Sequence, residues 1–259
     1  MQYQFIRFSL QDGIAEIQLN KASKMNAMDS VLLRELNHAV SVIEYNDTIN
    51  CLFITGAESA FSAGGDLHYM GQMEEEEARE AARWIHWIFN RIEDLPFLTV
   101  SLVDGIAFGG GLELAISCDV CIASEKAQFA LPEMRYGIIP AGGGTIRFME
   151  KTNRSELLYA LTSNKIYTAS EARQAGYVQD IVKGGELESF KNKYREKIQS
   201  YTSETLRSIK AHIKDNDHMT SGESRARAFE QEARLFGTLL EAEGRDKIQA
   251  FFARKNKEN

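Results

Sequence analysis

Residues 105–115 read GIAFGGGLELA, in which three consecutive glycines lead into an apolar, helix-forming run that carries one carboxylate, Glu113. Glycine allows a backbone to approach a ligand closely and to adopt positive φ. Where such a loop opens a helix, its unpaired N–H groups point outward and the helix dipole favours negative charge there. A carboxylate in an apolar run is costly to bury unless it is hydrogen-bonded or neutral. Glu113 therefore indicates either a functional group or an exposed position on an amphipathic helix.

Two further glycine-centred segments have the same character: residues 61–67, FSAGGDL, and residues 131–145, LPEMRYGIIPAGGGT. Two such loops that face one another supply two N–H donors to one oxygen, the geometry that stabilises an oxyanion or enolate. Taken one at a time, glycine runs of this kind are more often tight turns or close-packing devices. None matches the phosphate-binding GxxxxGK[ST] pattern, and residues 109–111 lack the spacing and context of a dinucleotide fingerprint.

The third segment carries a second carboxylate, Glu133, directly after Pro132. Two carboxylates in different surroundings hold different protonation states at neutral pH, which is what acid/base catalysis requires. Glu113 and Glu133 are therefore candidate catalytic residues. A loop carboxylate bonded to nearby N–H groups is the alternative interpretation of Glu133, and the sequence leaves open whether the two side chains meet.

Strand-like and helix-like segments alternate along the first part of the chain. A turn is expected at residues 11–13, and a helix from the N-cap Asp29 to about residue 45. After about residue 183 the chain contains no proline and is rich in Glu, Lys, Arg, Gln and Ala, which predicts helices to the end. These patterns indicate an α/β core followed by a helical C-terminal part. Strands are predicted at 3–8, 14–19, 51–55, 98–103, 120–123 and 177–182.

The composition narrows the class of protein. The 259 residues are 44% hydrophobic and 26% charged, as in ordinary soluble globular proteins. A net charge of -7 argues against nucleic-acid binding and against an anionic membrane surface, and no stretch approaches the roughly 20 apolar residues of a bilayer span. With three cysteines a full disulfide framework is impossible, so a cytoplasmic location is predicted. The lone C-x-x-C at Cys118–Cys121 and the absence of H-E-x-x-H give no expectation of a metal site.

Three segments together carry a family resemblance. They are residues 60–67, AFSAGGDL; residues 109–115, GGGLELA, followed by Cys118-Asp119; and residues 127–133, AQFALPE, running on to Gly143-Gly144-Thr145. In this order and at this spacing they closely resemble the enoyl-CoA hydratase/isomerase (crotonase) family, from the first strands to about residue 183 and more loosely to the C-terminus.

The resemblance implies an α/β fold, a crotonase-like spiral of repeated ββα units with a helical C-terminal trimerisation region. Residues 1–195 correspond to the spiral core that binds coenzyme A and the acyl group and carries out catalysis. Residues 196–259 correspond to the helical oligomerisation region. The expected assembly is a homotrimer or a hexamer formed by two trimers.

The resemblance also assigns site residues. The backbone N–H groups of Gly65 and Gly110 form the oxyanion hole for the thioester carbonyl, and Glu113 and Glu133 activate water and move the α-proton. Gly65 stands where many hydratases carry alanine, and in the C-terminal segment 243–251 Lys247 stands where glycine is common. The residues implied in substrate and coenzyme A binding are Lys24, Met25, Ala27, Ala63, Gly64, Asp66 and Leu67.

Possession of both glutamates favours hydration of a trans-2-enoyl-CoA to a 3-hydroxyacyl-CoA, a reaction of fatty acid metabolism and beta-oxidation. Coenzyme A then enters as part of the substrate, and no separate cofactor is expected. One alternative is another crotonase reaction: Δ3,Δ2-enoyl-CoA isomerisation, or decarboxylation or dehydration of an acyl-CoA or acyl-carrier-protein thioester. A second is a non-catalytic scaffold that binds coenzyme A. Neither a nucleic-acid partner nor a membrane partner is predicted.

Overall fold

The computed structural model of the protein describes residues 2–57, 60–216 and 222–239. The chain divides into two compact units, Met1–Ser200 and Tyr201–Asn259. The segment 243–251, and with it the end of the predicted oligomerisation region 196–259, lies outside the described residues. Within the described ranges, no helix is long and apolar enough to cross a lipid bilayer.

Two sheets form the frame of the first unit. The described strands are β1 (Ile6–Gln11), β2 (Ile14–Leu19), β3 (Cys51–Gly56), β4 (Ala60–Ser62), β5 (Leu98–Val103), β6 (Ile106–Phe108), β7 (Val120–Ser124), β8 (Gln128–Ala130), β9 (Tyr167–Thr168) and β10 (Asp180–Val182). One sheet has the order β1-β2-β3-β5-β7-β10 and the other the order β4-β6-β8-β9. In the first sheet β1 and β2 form an antiparallel hairpin, and the remaining neighbours are parallel.

Helices follow these strands at regular points. Those of the first unit are α1 (Ser30–Ile43), α2 (Leu67–Met70), α3 (Glu75–Asp94), α4 (Gly110–Ile116), α5 (Gly144–Lys151), α6 (Arg154–Ser163), α7 (Ala169–Ala175) and α8 (Leu187–Gln199). The second unit contains α9 (Ser203–Asn216) and α10 (Gly222–Leu239). Short 3₁₀ turns are formed by Ala22–Lys24 and Glu133–Tyr136.

The chain repeats one winding pattern three times. A strand of the first sheet is followed by a strand of the second sheet and then by helix: β3, β4, α2 and α3; β5, β6 and α4; β7, β8 and, after a 3₁₀ turn, α5. This pattern confirms the predicted α/β class and its repeated ββα units.

The winding brings the three glycine-centred segments to one edge. Strands β4, β6 and β8 are parallel neighbours in the second sheet. The carboxyl ends of parallel strands lie at the same edge of a sheet, which is where α/β proteins place their sites. Residues 63–66 follow β4, residues 109–110 follow β6, and residues 131–133 follow β8. The second sheet therefore determines where the site forms.

Helix α1 fixes the chain entering this edge. Asp29 is its N-cap, as predicted, and accepts hydrogen bonds from the N–H groups of Val31 (3.1 Å) and Leu32 (3.0 Å). The helix ends at Ile43, two residues earlier than expected. Burying a leucine side chain contributes about 1.5–3 kcal/mol, so this face anchors α1 firmly. Its buried apolar residues are Leu32, Leu33, Leu36, Ala39, Val40 and Ile43.

Two strands, β1 and β10, differ from the prediction by more than one residue. β1 begins at residue 6 rather than 3 and runs to residue 11, because the turn contains only Asp12 and Gly13. Their φ angles are 52° and 76°, the positive values that a two-residue type I′ hairpin turn requires. The last strand begins at residue 180 rather than 177, because its pairing with β7 starts at Asp180. Tyr177 and Val178 precede it as core residues. Their apolar character reflects packing rather than strand pairing.

Candidate active site

A cavity of about 720 Å³ lies at the shared edge of the second sheet. Its wall includes Gly65, Gly110, Glu113 and Glu133, so the structure brings both predicted donors and both predicted carboxylates to one place. Ala63 and Leu67 also line it. Cavities of about 300–1,000 Å³ with a few polar groups in an apolar wall are the usual form of a small-molecule site.

Gly65 and Gly110 offer two amides side by side. Gly110 is the first residue of α4, and N–H groups in the first turn of a helix have no partner within the helix. Within the described residues, neither amide donates a backbone hydrogen bond. A Cβ built on Gly110 lies 3.6 Å from the nitrogen of Gly65, which shows how closely the two loops approach. The pair is therefore free to hold one oxygen atom.

The approach of these loops depends on Gly64. Its φ of 93° lies in the left-handed region, and a Cβ there would lie only 2.6 Å from the carbonyl oxygen of Phe108. No other residue type fits this position without moving the backbone. Gly64 thus brings the 63–66 loop against the end of β6.

Glu113 is held in the buried core of α4. The residue is 3% exposed, and its Oε1 accepts hydrogen bonds from the N–H groups of Gly142 (2.7 Å) and Gly144 (2.6 Å). Gly144 is the first residue of α5, so the carboxylate lies against the start of a helix. Burial raises the pKa of Glu113, while these two amides and the positive charge of Arg147 oppose the rise. The buried position excludes the exposed alternative that the sequence left open.

Glu133 has different surroundings. It opens the 3₁₀ turn after β8, and its buried Oε2 has no hydrogen-bond partner within the described residues. A Cβ on Gly109 would lie 2.7 Å from its Oε1, and Gly109 has a φ of 50°, so glycine is needed there. Burial raises the pKa of Glu133 to about 7, and the negative charge of Glu113 adds to the rise. Glu133 is therefore partly protonated at neutral pH.

The predicted coenzyme A segment is joined to the loop after β4. The N–H of Ala63 donates to the carbonyl of Met25 (2.9 Å), and that of Asp66 donates to the carbonyl of Met28 (2.9 Å). Lys24 forms an ion pair of 2.6 Å with Asp66, with half of the lysine side chain exposed. This pair raises the pKa of Lys24 and holds the pKa of Asp66 below its usual range.

These residues do not all face the cavity. Five of the predicted binding residues lie outside its wall: Lys24, Met25, Ala27, Gly64 and Asp66. They form the layer that supports the wall and extends to the surface, where Met25 is 52% exposed.

Sequence reasoning missed the three alanines with which α3 lines the cavity. Ala78, Ala81, Ala82 and Ile85 all line the cavity. Their spacing of three and four residues places them on one face of the helix, and this periodicity is a signal that the sequence did contain. Because three of the four side chains are small, the cavity keeps its width beside α3.

Sequence reasoning also missed Arg147. It is 5% exposed, and its Nη1 donates to the carbonyl oxygen of Gly142 at 3.0 Å. Its Nε donates to Glu93 at 2.9 Å. No local pattern marks this residue, because its side-chain partners on α3 are more than 50 residues away in the chain.

The part of the chain that the structure describes contains no group of side chains that could bind a metal ion. No three His, Cys, Asp or Glu side chains are grouped there as metal ligands are. Cys118 and Cys121 are buried, and burial raises the pKa of the Cys121 thiol to about 11. These cysteines belong to the core.

Two sheets wound from ββα units, with glycine loops and buried carboxylates at one cavity, define a protein of the crotonase type. The family model described as enoyl-CoA hydratase/isomerase matches residues 9–259, and the chain belongs to this family.

Individual relatives agree with this membership. The short-chain-enoyl-CoA hydratase of Clostridium acetobutylicum is 31% identical over 245 residues, covering 94% of this chain and 92% of the relative. The mitochondrial enoyl-CoA hydratase of Pongo abelii is 31% identical over 243 residues, covering 94% and 82%. The crystal structure of an enoyl-CoA hydratase from Bacillus anthracis has a TM-score of 0.86 at 28% identity, covering 98% of this chain and 97% of that chain. The predicted family and the α/β crotonase fold are confirmed, and the trimerisation role of the C-terminal region stays a prediction.

Proposed function

We propose that the protein is an enoyl-CoA hydratase, which adds water across the C2=C3 double bond of a trans-2-enoyl-CoA thioester. The observation that carries the proposal is the joint presence, on one cavity, of two free amides and two buried carboxylates. Membership of the enoyl-CoA hydratase/isomerase family supports the substrate class.

The thioester oxygen is bound between the N–H groups of Gly65 and Gly110. These donors draw electron density from the conjugated double bond and make C3 electrophilic. They stabilise the enolate that forms when C3 is attacked, because the charge then develops on the same oxygen. Loss of one donor of this kind costs roughly 10²–10³-fold in kcat.

The two glutamates divide the proton transfers. Glu113 takes a proton from water as the water oxygen bonds to C3, and Glu133 gives its proton to C2 as the enolate collapses. The net change is the addition of one water molecule, and the proton gained by Glu113 replaces the one lost by Glu133 before the next turnover. Two amides donate to Glu113, which favours its ionised form, whereas the buried Oε2 of Glu133 has no donor among the described residues, which favours its protonated form.

Coenzyme A enters as part of the substrate, and the mechanism needs no other cofactor. Lys24, Met25 and Ala27 lie along the coenzyme A moiety, and the loop of Ala63, Gly64, Asp66 and Leu67 cradles its nucleotide end. The exposed ammonium of Lys24 is suited to a phosphate group, although Asp66 already neutralises part of its charge. The apolar face of α3 receives the acyl chain.

Assembly and location belong to the same proposal. A homotrimer or a hexamer of two trimers, built through residues 196–259, would fit the family, and its mass is measurable by light scattering. The proposed setting is fatty acid oxidation in the cytoplasm. The mitochondrial relative shows that the family is not restricted to that compartment.

Isomerisation is a second candidate because one feature of Glu133 favours it. A carboxyl group with a pKa of about 7 both releases and accepts a proton near neutral pH, which a C2–C4 proton shuttle requires. A Δ3,Δ2-isomerase needs only this carboxylate, whereas a hydratase uses both.

Product analysis separates the two reactions. The protein is incubated with crotonyl-CoA and, separately, with a trans-3-enoyl-CoA. Hydration is followed by mass spectrometry, and isomerisation, which leaves the mass unchanged, by the ultraviolet absorbance that the conjugated 2-enoyl thioester gains. We expect crotonyl-CoA to gain the mass of one water. If the protein converts the 3-enoyl substrate but does not hydrate crotonyl-CoA, its function is isomerisation rather than hydration. If the folded protein acts on neither substrate, a non-catalytic scaffold is favoured.

A further inference from the structure

Arg147 is a buried cation that no step of the proposed mechanism uses. Its guanidinium contacts Glu93 through Nε (2.9 Å) and Nη2 (2.7 Å), and Nη2 also donates to the side-chain oxygen of Asn90. Both partners lie on α3, whereas Arg147 lies on α5. The charge is thus satisfied by two side chains of one neighbouring helix.

The remaining donor of Arg147 reaches the backbone of the site. Nη1 donates to the carbonyl oxygen of Gly142 (3.0 Å), and the N–H of Gly142 donates to Oε1 of Glu113 (2.7 Å). Gly142 therefore links the guanidinium on one side to the candidate base on the other. A continuous chain of hydrogen bonds runs from α3 through Arg147 and Gly142 to Glu113.

Gly143 makes this close approach sterically feasible. Its φ is 95°, and a Cβ there would lie only 2.3 Å from Nη1 of Arg147. The loop therefore folds directly over the guanidinium, and only glycine permits the contact. The run of glycines at 142–144 serves the two hydrogen bonds to Glu113 and also the packing of Arg147.

Charge is arranged around Glu113 from each neighbouring element. Arg147 on α5 supplies the positive charge that opposes the effect of burial on the pKa of Glu113. The carboxyl group of Glu133 on the 3₁₀ turn lies near enough for the charge of Glu113 to raise its pKa, and Glu93 on α3 partly neutralises Arg147. His86 on α3 stays neutral more readily, because burial and then Arg147 lower its pKa. Arg147 is thus the positive group that acts on Glu113.

We propose that Arg147 is a positioning residue, which fixes the Gly142 peptide from α3 and thereby holds the Glu113 carboxylate ionised and aimed into the cavity. This inference rests on the proposed role of Glu113 in hydration. It adds a residue to the machinery that the family resemblance did not assign.

The test compares Arg147→Met with a matched control, Arg91→Met. Arg91 on α3 also makes a largely buried ion pair, at 2.6 Å to Glu44, and it lies over the ring of Trp87. Its side-chain hydrogen bonds go to Asn37, Ser41 and Glu44 rather than to the loop of Gly142. We expect Arg147→Met to lower kcat roughly 10–100-fold, because an error of about 1 Å in a reacting group costs up to roughly 10²-fold. KM should change less than about threefold, since the acyl and coenzyme A contacts remain. Arg91→Met should lower the Tm while keeping kcat.

The dependence of kcat on pH distinguishes the proposed role of Arg147 from a purely structural one, because a loss of stability alone would not shift the profile. Without the positive charge, the pKa of Glu113 rises, so a higher pH is needed to ionise the base. The acid limb of the kcat profile should therefore shift to higher pH in Arg147→Met and stay in place in Arg91→Met. In a Glu113→Gln background, Arg147→Met should cost little further activity, because the group it positions is already gone.

A titration of Glu113 by ¹³C NMR of its labelled carboxyl group tests the inference without any turnover. An upward shift in the midpoint for Arg147→Met supports it, even if the protein proves not to be a hydratase. Wild-type kcat and an unmoved midpoint in a folded Arg147→Met protein would overturn it. If that variant does not fold, Glu93→Ala removes the half-exposed partner that holds the Arg147 side chain. It should lower kcat by less than Arg147→Met, and the midpoint of Glu113 should move down, because the positive charge of Arg147 is then less neutralised. An unchanged kcat with an unmoved midpoint would overturn the inference.

Discussion

Gly144 packs directly against the carboxylate of Glu113, the candidate base. Its N–H donates to Oε1 of Glu113 at 2.6 Å, and a Cβ built on it lies 2.7 Å from the same oxygen. Ordinary contacts begin near 3.4 Å, so Gly144→Ala must displace the carboxylate or the first turn of α5 by about 0.7 Å, the difference between these distances. We predict that this single methyl group disables the base.

The expected loss follows from that displacement. A misplacement of about 1 Å costs up to roughly 10²-fold, so kcat should fall roughly 10–100-fold. Stability should change far less, because alanine is favoured over glycine in a helix by about 0.5–1 kcal/mol and offsets part of the contact. A large loss of kcat with a small change in Tm is therefore the signature of the substitution.

The assay measures initial rates of crotonyl-CoA hydration beside the Tm of each protein. Gly184→Ala is the matched control, since no atom lies within 4 Å of a Cβ built there and its backbone suits alanine. We expect the control to keep the wild-type rate. A folded Gly144→Ala protein with wild-type kcat would contradict the role of Glu113 as an accurately placed base, because the added methyl group must displace its carboxylate.

Three other substitutions test separate parts of the site. Burial raises the pKa of Glu133 to about 7, and the residue must be protonated to supply the C2 proton. The kcat of the wild-type protein should therefore fall as pH rises through that value. The residual activity of Glu133→Gln should not show this fall at high pH. Lys24→Met should raise KM for the thioester by no more than about fivefold, because water screens an exposed charge contact, and a salt titration of KM would check it. Ala81→Phe narrows the acyl cavity beside α3, and each buried methylene contributes about 0.8 kcal/mol, or about fourfold. The ratio of kcat/KM for an eight-carbon to a four-carbon substrate should therefore fall at least about tenfold. An unchanged ratio would mean that the acyl chain of the substrate does not lie beside Ala81.

Local rules made much of the fold predictable. The alternating elements, the N-cap at Asp29 and the turn at Asp12-Gly13 are encoded by neighbouring residues and appear in the structure. The glycines at 64, 109 and 143 adopt positive φ, which is why glycine clusters marked the loops that matter. The second sheet escaped direct detection because its strands are two or three residues long, too short to show an alternating pattern.

The support of the site could not be predicted in the same way. The hydrogen bonds from Gly142 and Gly144 to Glu113 join residues 29 and 31 positions apart, and the contact of Arg147 with Glu93 joins residues 54 apart. No periodicity or motif in the sequence records such contacts. The burial of Glu113 follows from them, since a buried carboxylate needs these donors. The sequence therefore named the two candidate carboxylates and left the contacts that support them to the structure.

The most direct test of the central claim is the rate at which crotonyl-CoA loses its ultraviolet absorbance with wild-type protein, Glu113→Gln and Glu133→Gln, each verified as folded. We expect rapid loss with wild type and a fall of roughly 10²–10⁴-fold in each variant, the contribution of general acid/base catalysis. Full activity in both variants, beside an active wild type, would contradict the assignment of the two carboxylates.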